Sequence, residues 1–161
     1  MRTYQTVITV LLSTALAWAT ACSAQELPQP RKITMINMGG DDCPPCRVWR
    51  ALELPKLQQQ PDFQSVEYVY VVKSIESAVP PRFFLPVAAK PHKEKLDAAS
   101  GGMSGSPQVA ILLNGEVQDY IYGTRTAEEY MQMVRALQSG AAYPFERCLQ
   151  RRDRLHCEVR R

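Results

Sequence analysis

The tetrapeptide Cys-Pro-Pro-Cys at residues 43–46 constrains the fold of this chain more than any other feature of its sequence. It lies between a short β-prone run at residues 32–38 and a segment whose apolar residues recur at helical spacing. Proline is tolerated in the first turn of a helix because the N–H groups there have no intrahelical acceptor. The pattern therefore predicts a strand, a turn and then a helix whose first turn carries both cysteines.

The order of the remaining elements predicts an α/β fold. Four segments are β-prone, at residues 32–38, 65–73, 108–113 and 116–122. The last two are joined by Asn114-Gly115, a strong hairpin signal, and Thr126 with Glu129 fits a capping box at the start of a final helix. The first half is a β-α-β unit, which implies parallel pairing. We expect one mixed four-stranded sheet flanked by helices.

Two sets of apolar residues are expected to be buried. The first recurs at helical spacing after the motif and comprises Val48, Trp49, Leu52 and Leu57, in a helix that is kinked or ended near Pro55. The second is Phe83-Phe84-Leu85, within the irregular, proline-punctuated segment 74–100. A small satellite core under a long loop is the usual arrangement for such residues, and a partner-binding patch is the alternative. A short helix is expected over residues 93–99.

Residues 1–24 have the pattern of a cleaved secretory signal. Arg2 supplies a positive start, residues 7–18 are mostly apolar, and small residues follow. The apolar stretch is shorter than the roughly 20 residues that a membrane-spanning helix needs. We therefore expect export to the periplasm, an oxidising compartment in which disulfides persist.

A secretory signal at residues 1–24 sets Cys22 apart from the other four cysteines. Cys22 is either removed with the signal or is the lipid-modified first residue of a membrane-anchored lipoprotein. The mature chain then has a domain at residues 25–142 and an Arg-rich tail at residues 143–161. The tail contains Cys148 and Cys157, which we expect to form a structural disulfide that closes it, a gain of roughly 2–3 kcal/mol.

The sequence supports two other functions, zinc binding and nucleic-acid binding, less well. Four thiolates would suit zinc, but zinc sites usually pair two close-spaced knuckles, whereas eight residues separate Cys148 from Cys157; no metal or organic cofactor is predicted. The net charge of +3 is too small to make nucleic acid the default partner.

The cysteine placement points to thiol–disulfide chemistry. A thiol at a helix N-terminus faces unpaired N–H groups and the positive end of the helix dipole, which favour its thiolate. The thiolate is the nucleophile of disulfide exchange. We expect Cys43 to be the exposed attacking residue and Cys46 the more buried resolving one.

Over residues 32–137 the chain resembles the thioredoxin superfamily, and in particular its exported bacterial members. Three features carry the resemblance: Cys-Pro-Pro-Cys after a first strand, Gly105-Ser106-Pro107 before a later strand, and Gly123 before the capped last helix. The resemblance implies a thioredoxin-like fold and a cis peptide bond at Pro107 that faces the dithiol. It also implies that the backbone of Ser106 binds a substrate chain, the substrates being protein or peptide disulfides.

Departures from the family pattern bear on mechanism. Asp42 stands where Trp is common, and Asn37 stands where many members have a buried acid six residues before the first cysteine. Asn cannot accept a proton from Cys46, so a water or another group has to serve. Asp41 and Asp42 should disfavour the Cys43 thiolate, which favours a reductase supplied by a membrane-bound dithiol partner over a strong oxidant. A metal-delivery protein and a non-catalytic interaction domain of the same fold remain as alternatives.

Overall fold

The computed structural model describes residues 30–148, which form an α/β fold on one four-stranded mixed sheet. The strands are β1 (Ile33–Gly39), β2 (Val66–Val72), β3 (Gln108–Leu113) and β4 (Glu116–Tyr122). Their order across the sheet is β2-β1-β3-β4, with β2 parallel to β1 and the other two pairs antiparallel. All four strands and the parallel β-α-β pairing are as predicted, and this arrangement is consistent with a thioredoxin-like fold.

The helices lie in the segments for which local sequence patterns predict them. They are α1 (Pro44–Leu52), α2 (Leu54–Gln58), α3 (Lys93–Ser100) and α4 (Ala127–Ser139). Pro55 has no N–H to continue the hydrogen bonding of α1, so the helix ends before it and a second short helix begins. At α4 the predicted capping box is present, since the Thr126 hydroxyl accepts the Glu129 N–H and the Glu129 carboxylate accepts the Thr126 N–H.

Helices cover both faces of the sheet, so the strand at its centre, β1, is buried along its whole length. One face packs against α1, α2 and α4, with Ile33, Met35, Ile111, Tyr130 and Val134 in that core. The other face packs against α3, with Ile36, Met38, Val71, Leu96 and Leu112. Burial on two faces explains why β1 and β3 read as nearly continuous apolar runs rather than alternating ones.

The predicted burial of two apolar sets is wrong in part. In α1 only Cys46 and Trp49 are buried, because these two residues face the sheet, and Val48 and Leu52 are therefore exposed. In the second set Leu85 enters the core beside α3, but Phe83 is 84% and Phe84 70% exposed. Their rings contact each other edge to face, with centroids 5.4 Å apart.

The first residues of the predicted tail pack on β4 around the buried Asp119. Its carboxylate accepts the N–H of Cys148 at 2.8 Å and the hydroxyl of Tyr143 at 3.1 Å. Cys148 is buried in the same core as α4. Its expected disulfide partner, Cys157, lies outside the described residues, as do the predicted signal at 1–24 and Cys22.

Among residues 30–148, no helix combines the length and the apolar character needed to cross a membrane.

Candidate active site

Cys43 and Cys46 form a disulfide at the N-terminus of α1, with their Cα atoms 5.2 Å apart. Cys43 is the N-cap residue, and the two prolines occupy the first helical positions, where they have no N–H to donate. The next residue, Cys46, has a free N–H, and it donates to the Cys43 sulfur at 3.2 Å. The predicted placement of both cysteines in the first turn is confirmed.

The expectation that Cys43 is the exposed sulfur is wrong for this oxidised state. Cys43 has no solvent exposure and Cys46 has 3%. The reason is local: the Cys43 side chain folds back over the first turn, where it accepts the Cys46 N–H and closes the disulfide. In the oxidised state neither cysteine is therefore freely accessible to solvent.

The peptide bond between Ser106 and Pro107 is cis, as the resemblance implied. Strand register brings this bond to the disulfide. Met38 pairs with Gln108, the first residue of the antiparallel strand β3, so Pro107, immediately before β3, is placed next to Gly39, the last residue of β1. A Cβ atom built on Gly39 would be only 2.8 Å from the Cys46 Sγ. The cis-proline and the disulfide therefore border the same residue of β1.

Ser106, the residue before the cis-proline, has polar groups without partners among the described residues. Within residues 30–148 its backbone makes no hydrogen bond, although the flanking residues do: the Gly105 N–H donates to Ile75 and the Pro107 carbonyl accepts from Gly123. The Ser106 hydroxyl is buried and likewise lacks a partner among the described residues. Unpaired backbone groups of this kind can pair with an extended chain.

A buried lysine that was not predicted from the sequence supports the cis-proline loop. Lys73 follows β2 and is 5% exposed, and its ammonium donates to the carbonyls of Gly105, at 2.6 Å, and Ser77. Burial lowers the pKa of Lys73 from 10.5 to about 8. The available signal was its spacing, since alternation along β2 puts Lys73 on the same side as the buried Val69 and Val71.

The two aspartates before Cys43 are not equivalent. Asp41 forms an ion pair with Arg50 of α1, so a cation offsets its charge. Asp42 is exposed, and its carboxylate accepts the Ile75 N–H at 3.0 Å. That bond and a second one from the Ser74 hydroxyl lower the pKa of Asp42, because they favour the charged form. Any destabilisation of the Cys43 thiolate by nearby negative charge therefore comes mainly from Asp42.

Helix α1 is attached to the start of α4 by two polar contacts. The Trp49 indole donates to the Arg125 carbonyl at 2.6 Å, and the Glu53 carboxylate accepts the Ala127 N–H at 2.8 Å. Beside these contacts a cavity of about 290 Å³ opens between the exposed face of α1 and residues 124–126. Pro45 of the motif lines one end of it, so this cavity adjoins the disulfide.

No protein-family model matches this chain, and no curated protein matches its sequence. Evidence on function therefore comes from the geometry above. Within residues 30–148, no three His, Cys, Asp or Glu side chains cluster in a way that could hold a metal ion.

Proposed function

We propose that this chain is an exported thiol–disulfide oxidoreductase of the thioredoxin superfamily that exchanges disulfides with protein substrates. The observation that carries the proposal is the Cys43–Cys46 disulfide at the start of a helix. The disulfide lies against Gly39 of β1, and strand register places the cis-proline Pro107 next to the same glycine. The disulfide supplies the redox pair, and the unpaired backbone of Ser106 supplies a docking edge for the substrate chain. Export rests on the signal-like residues 1–24.

In the direction of reduction, the Cys43 thiolate attacks one sulfur of a substrate disulfide. The Cys43–substrate bond forms as the substrate S–S bond breaks, and the departing sulfur leaves with the electron pair and takes a proton. The Cys46 thiolate then attacks Cys43, which forms the Cys43–Cys46 bond and releases the second substrate sulfur. The substrate gains two electrons and two protons, and an external dithiol returns them to the protein.

The helix N-terminus favours this chemistry at Cys43. The free N–H of Cys46 already points at the Cys43 sulfur and would stabilise its negative charge in the reduced state. Both prolines lack this donor, so Cys43 receives fewer backbone hydrogen bonds than a helix start without prolines would give. Together with the exposed charge of Asp42, this supports a modest rather than a strong stabilisation of the thiolate.

A modestly stabilised thiolate favours the reductase direction. Strong oxidants owe their potential to a highly stabilised reduced form, about −120 mV for the periplasmic oxidant against about −270 mV for thioredoxin. We expect the 43–46 pair to equilibrate near the thioredoxin value in a glutathione redox buffer. A potential near −120 mV would reverse the direction and leave the exchange chemistry in place.

Two cysteine variants test the activity itself. Cys43→Ser should abolish reduction of insulin disulfides, because the attacking sulfur is gone. Cys46→Ser should also block turnover, but it should accumulate a Cys43 mixed disulfide with the substrate, since the resolving sulfur is missing. A Cys43→Ser protein as active as wild type, or a Cys43–Cys46 bond that strong reductant barely affects, would refute the proposal. So would tight copper or zinc binding, lost in Cys43→Ser, in a wild-type protein without exchange activity.

A further inference from the structure

Tyr70 of β2 places a buried hydroxyl beside the resolving cysteine. A Cβ atom on Gly39 would lie 2.8 Å from the Cys46 Sγ and 3.5 Å from the Tyr70 hydroxyl oxygen. Both atoms therefore border the small space over Gly39, where a glycine leaves room for them. Asn37, the residue in the position of the family's buried acid, is the direct neighbour of Tyr70 across the parallel strands.

The Tyr70 hydroxyl has no hydrogen-bond partner among the described residues, although it is buried. Native proteins keep few unsatisfied buried polar groups because each is costly, and a redox or catalytic role is one reason for keeping one. In the disulfide state the neighbouring sulfur is uncharged and a weak acceptor. Once the disulfide opens, Cys46 can carry a full negative charge and accept a strong hydrogen bond.

Helix α1 brings a cation to the same place. Arg50 lies four residues after Cys46, so both side chains lie on one face of the helix. The Arg50 guanidinium lies over the Tyr70 ring, 5.0 Å from its centroid, and pairs with Asp41 at its outer side. This stacking places a cation against the tyrosine ring, and the Asp41 carboxylate offsets part of its charge.

We propose that the Tyr70 hydroxyl donates a hydrogen bond to the Cys46 sulfur when the disulfide opens, and so is the catalytic residue that stabilises the resolving thiolate. The inference rests on the proposed function. It assigns a polar partner to Cys46 where Asn37 stands in place of an acid, while the acceptor of the Cys46 proton is solvent. The role differs from that of an acid, because a hydroxyl acts as a donor to the thiolate and not as an acceptor of its proton.

In the resolving step Tyr70 keeps its proton. The Cys46 thiol loses its proton to solvent, and its thiolate attacks the Cys43 sulfur of the mixed disulfide. The Cys43–Cys46 bond forms, the Cys43–substrate bond breaks, and the substrate sulfur leaves with the electron pair and is protonated by solvent.

The ionisable groups that face Tyr70 come from three elements. Burial raises the pKa of Tyr70 and the Arg50 cation of α1 opposes this, whereas the carboxylates of Asp41 and Asp42, in the turn, raise it further. Tyr68 of the same strand is also close enough to couple with it electrostatically. The sum keeps Tyr70 in its protonated, hydrogen-donating form.

The test is a titration of Cys46 in the full-length protein. The pKa of Cys46 is measured in a Cys43→Ala background from the pH dependence of its ¹³Cβ chemical shift. Because this resonance belongs to Cys46 alone, the other cysteines do not interfere. Tyr70→Phe should raise this pKa by about one, a tenfold loss of thiolate below the pKa, because a hydrogen bond to a charged group is lost. Tyr68→Phe is the matched control, since it removes the other buried hydroxyl of β2 on the same sheet face.

A second readout follows the reaction. With Cys43 present, Tyr70→Phe should slow single-turnover release of the substrate thiol about threefold. The tenfold loss of thiolate is partly offset by the higher nucleophilicity of a more basic sulfur. Tyr68→Phe should release the thiol at the wild-type rate.

An unchanged Cys46 pKa in Tyr70→Phe, or an equal rise in Tyr68→Phe, would overturn the assignment of Tyr70 even if the wild type reduces insulin. Failure of the wild type to reduce insulin would instead overturn the proposed function, and the Cys46 titration would still decide whether the hydrogen bond forms.

Discussion

The ammonium of Lys73 donates to the carbonyl of Gly105 at 2.6 Å and thereby ties the end of β2 to the loop that carries the cis-proline. A second bond, to the Ser77 carbonyl, holds the loop after β2 to the same charge. A buried cation thus organises two loops at the disulfide end of the sheet. Because burial makes the charged form costly, this contact should respond to pH.

Lys73 should make the free energy of unfolding depend on pH in the alkaline range. Its pKa is about 8 in the folded protein and 10.5 when unperturbed, so between these values only the unfolded chain holds the proton. Stability should therefore rise with pH through this window, by on the order of 1–3 kcal/mol, and the neutral amine still has N–H groups for both carbonyls. Urea unfolding of wild type minus Lys73→Met, from about pH 7 to about pH 10.5, isolates this contribution. A flat or falling difference would show that the ammonium is not buried in solution.

Gly39 should tolerate no side chain while the disulfide is closed. In Gly39→Ala the new methyl group would be 2.8 Å from the Cys46 sulfur and 3.2 Å from its Cβ, so the oxidised protein should lose about 1–3 kcal/mol of stability. Denaturant unfolding of the oxidised and reduced forms measures the loss in each. In a Cys46→Ala background the penalty should shrink, because the sulfur is gone; an undiminished penalty would place the strain elsewhere.

The exposed aromatic pair and its buried neighbour should respond differently to truncation. Phe83→Ser should change the free energy of unfolding by no more than about 0.5 kcal/mol, since that side chain is mostly in solvent. Leu85→Ala should cost about 2–5 kcal/mol, because it leaves a cavity in the core beside α3. Chemical denaturation of the two variants compares them. A large loss in Phe83→Ser would mean that residues 83–85 form the satellite core that the sequence suggested.

The burial of Cys43 and Cys46 should limit the reduction of the native disulfide. A small phosphine should reduce it more slowly in buffer than in concentrated urea, because the sulfurs must first be uncovered. Quenching by alkylation and mass spectrometry of the peptide with both cysteines follows the rate. Equal rates in the two solvents would indicate that the disulfide is open in the native state.

Much of the fold was predictable because its signals act over a few residues. Prolines at the start of α1, Asn114-Gly115 between β3 and β4, and the Thr126 capping box each specify their own element through local geometry. The pairing of Cys43 with Cys46 is equally local, since a two-residue spacer folds into one helical turn.

The errors came from contacts that no local pattern encodes. The spacing of Val48 and Leu52 fits a buried helix face, but α1 faces the sheet through Cys46 and Trp49. Likewise the sequence predicts that Phe83 is a core residue, but after the 3₁₀ turn at residues 82–84 only Leu85 points inward.

The secondary structure and the position of the disulfide follow from the sequence alone, because short-range sterics and hydrogen bonding decide them. The cis peptide bond at Pro107 was implied only by the resemblance to the thioredoxin superfamily. The tertiary structure was needed to show that Lys73 supports the cis-proline loop and that the Tyr70 hydroxyl lies over Gly39 with Cys46. The physical reason is that each of these relations joins residues from different elements, and strand register and helix packing bring them together only when the whole sheet has formed.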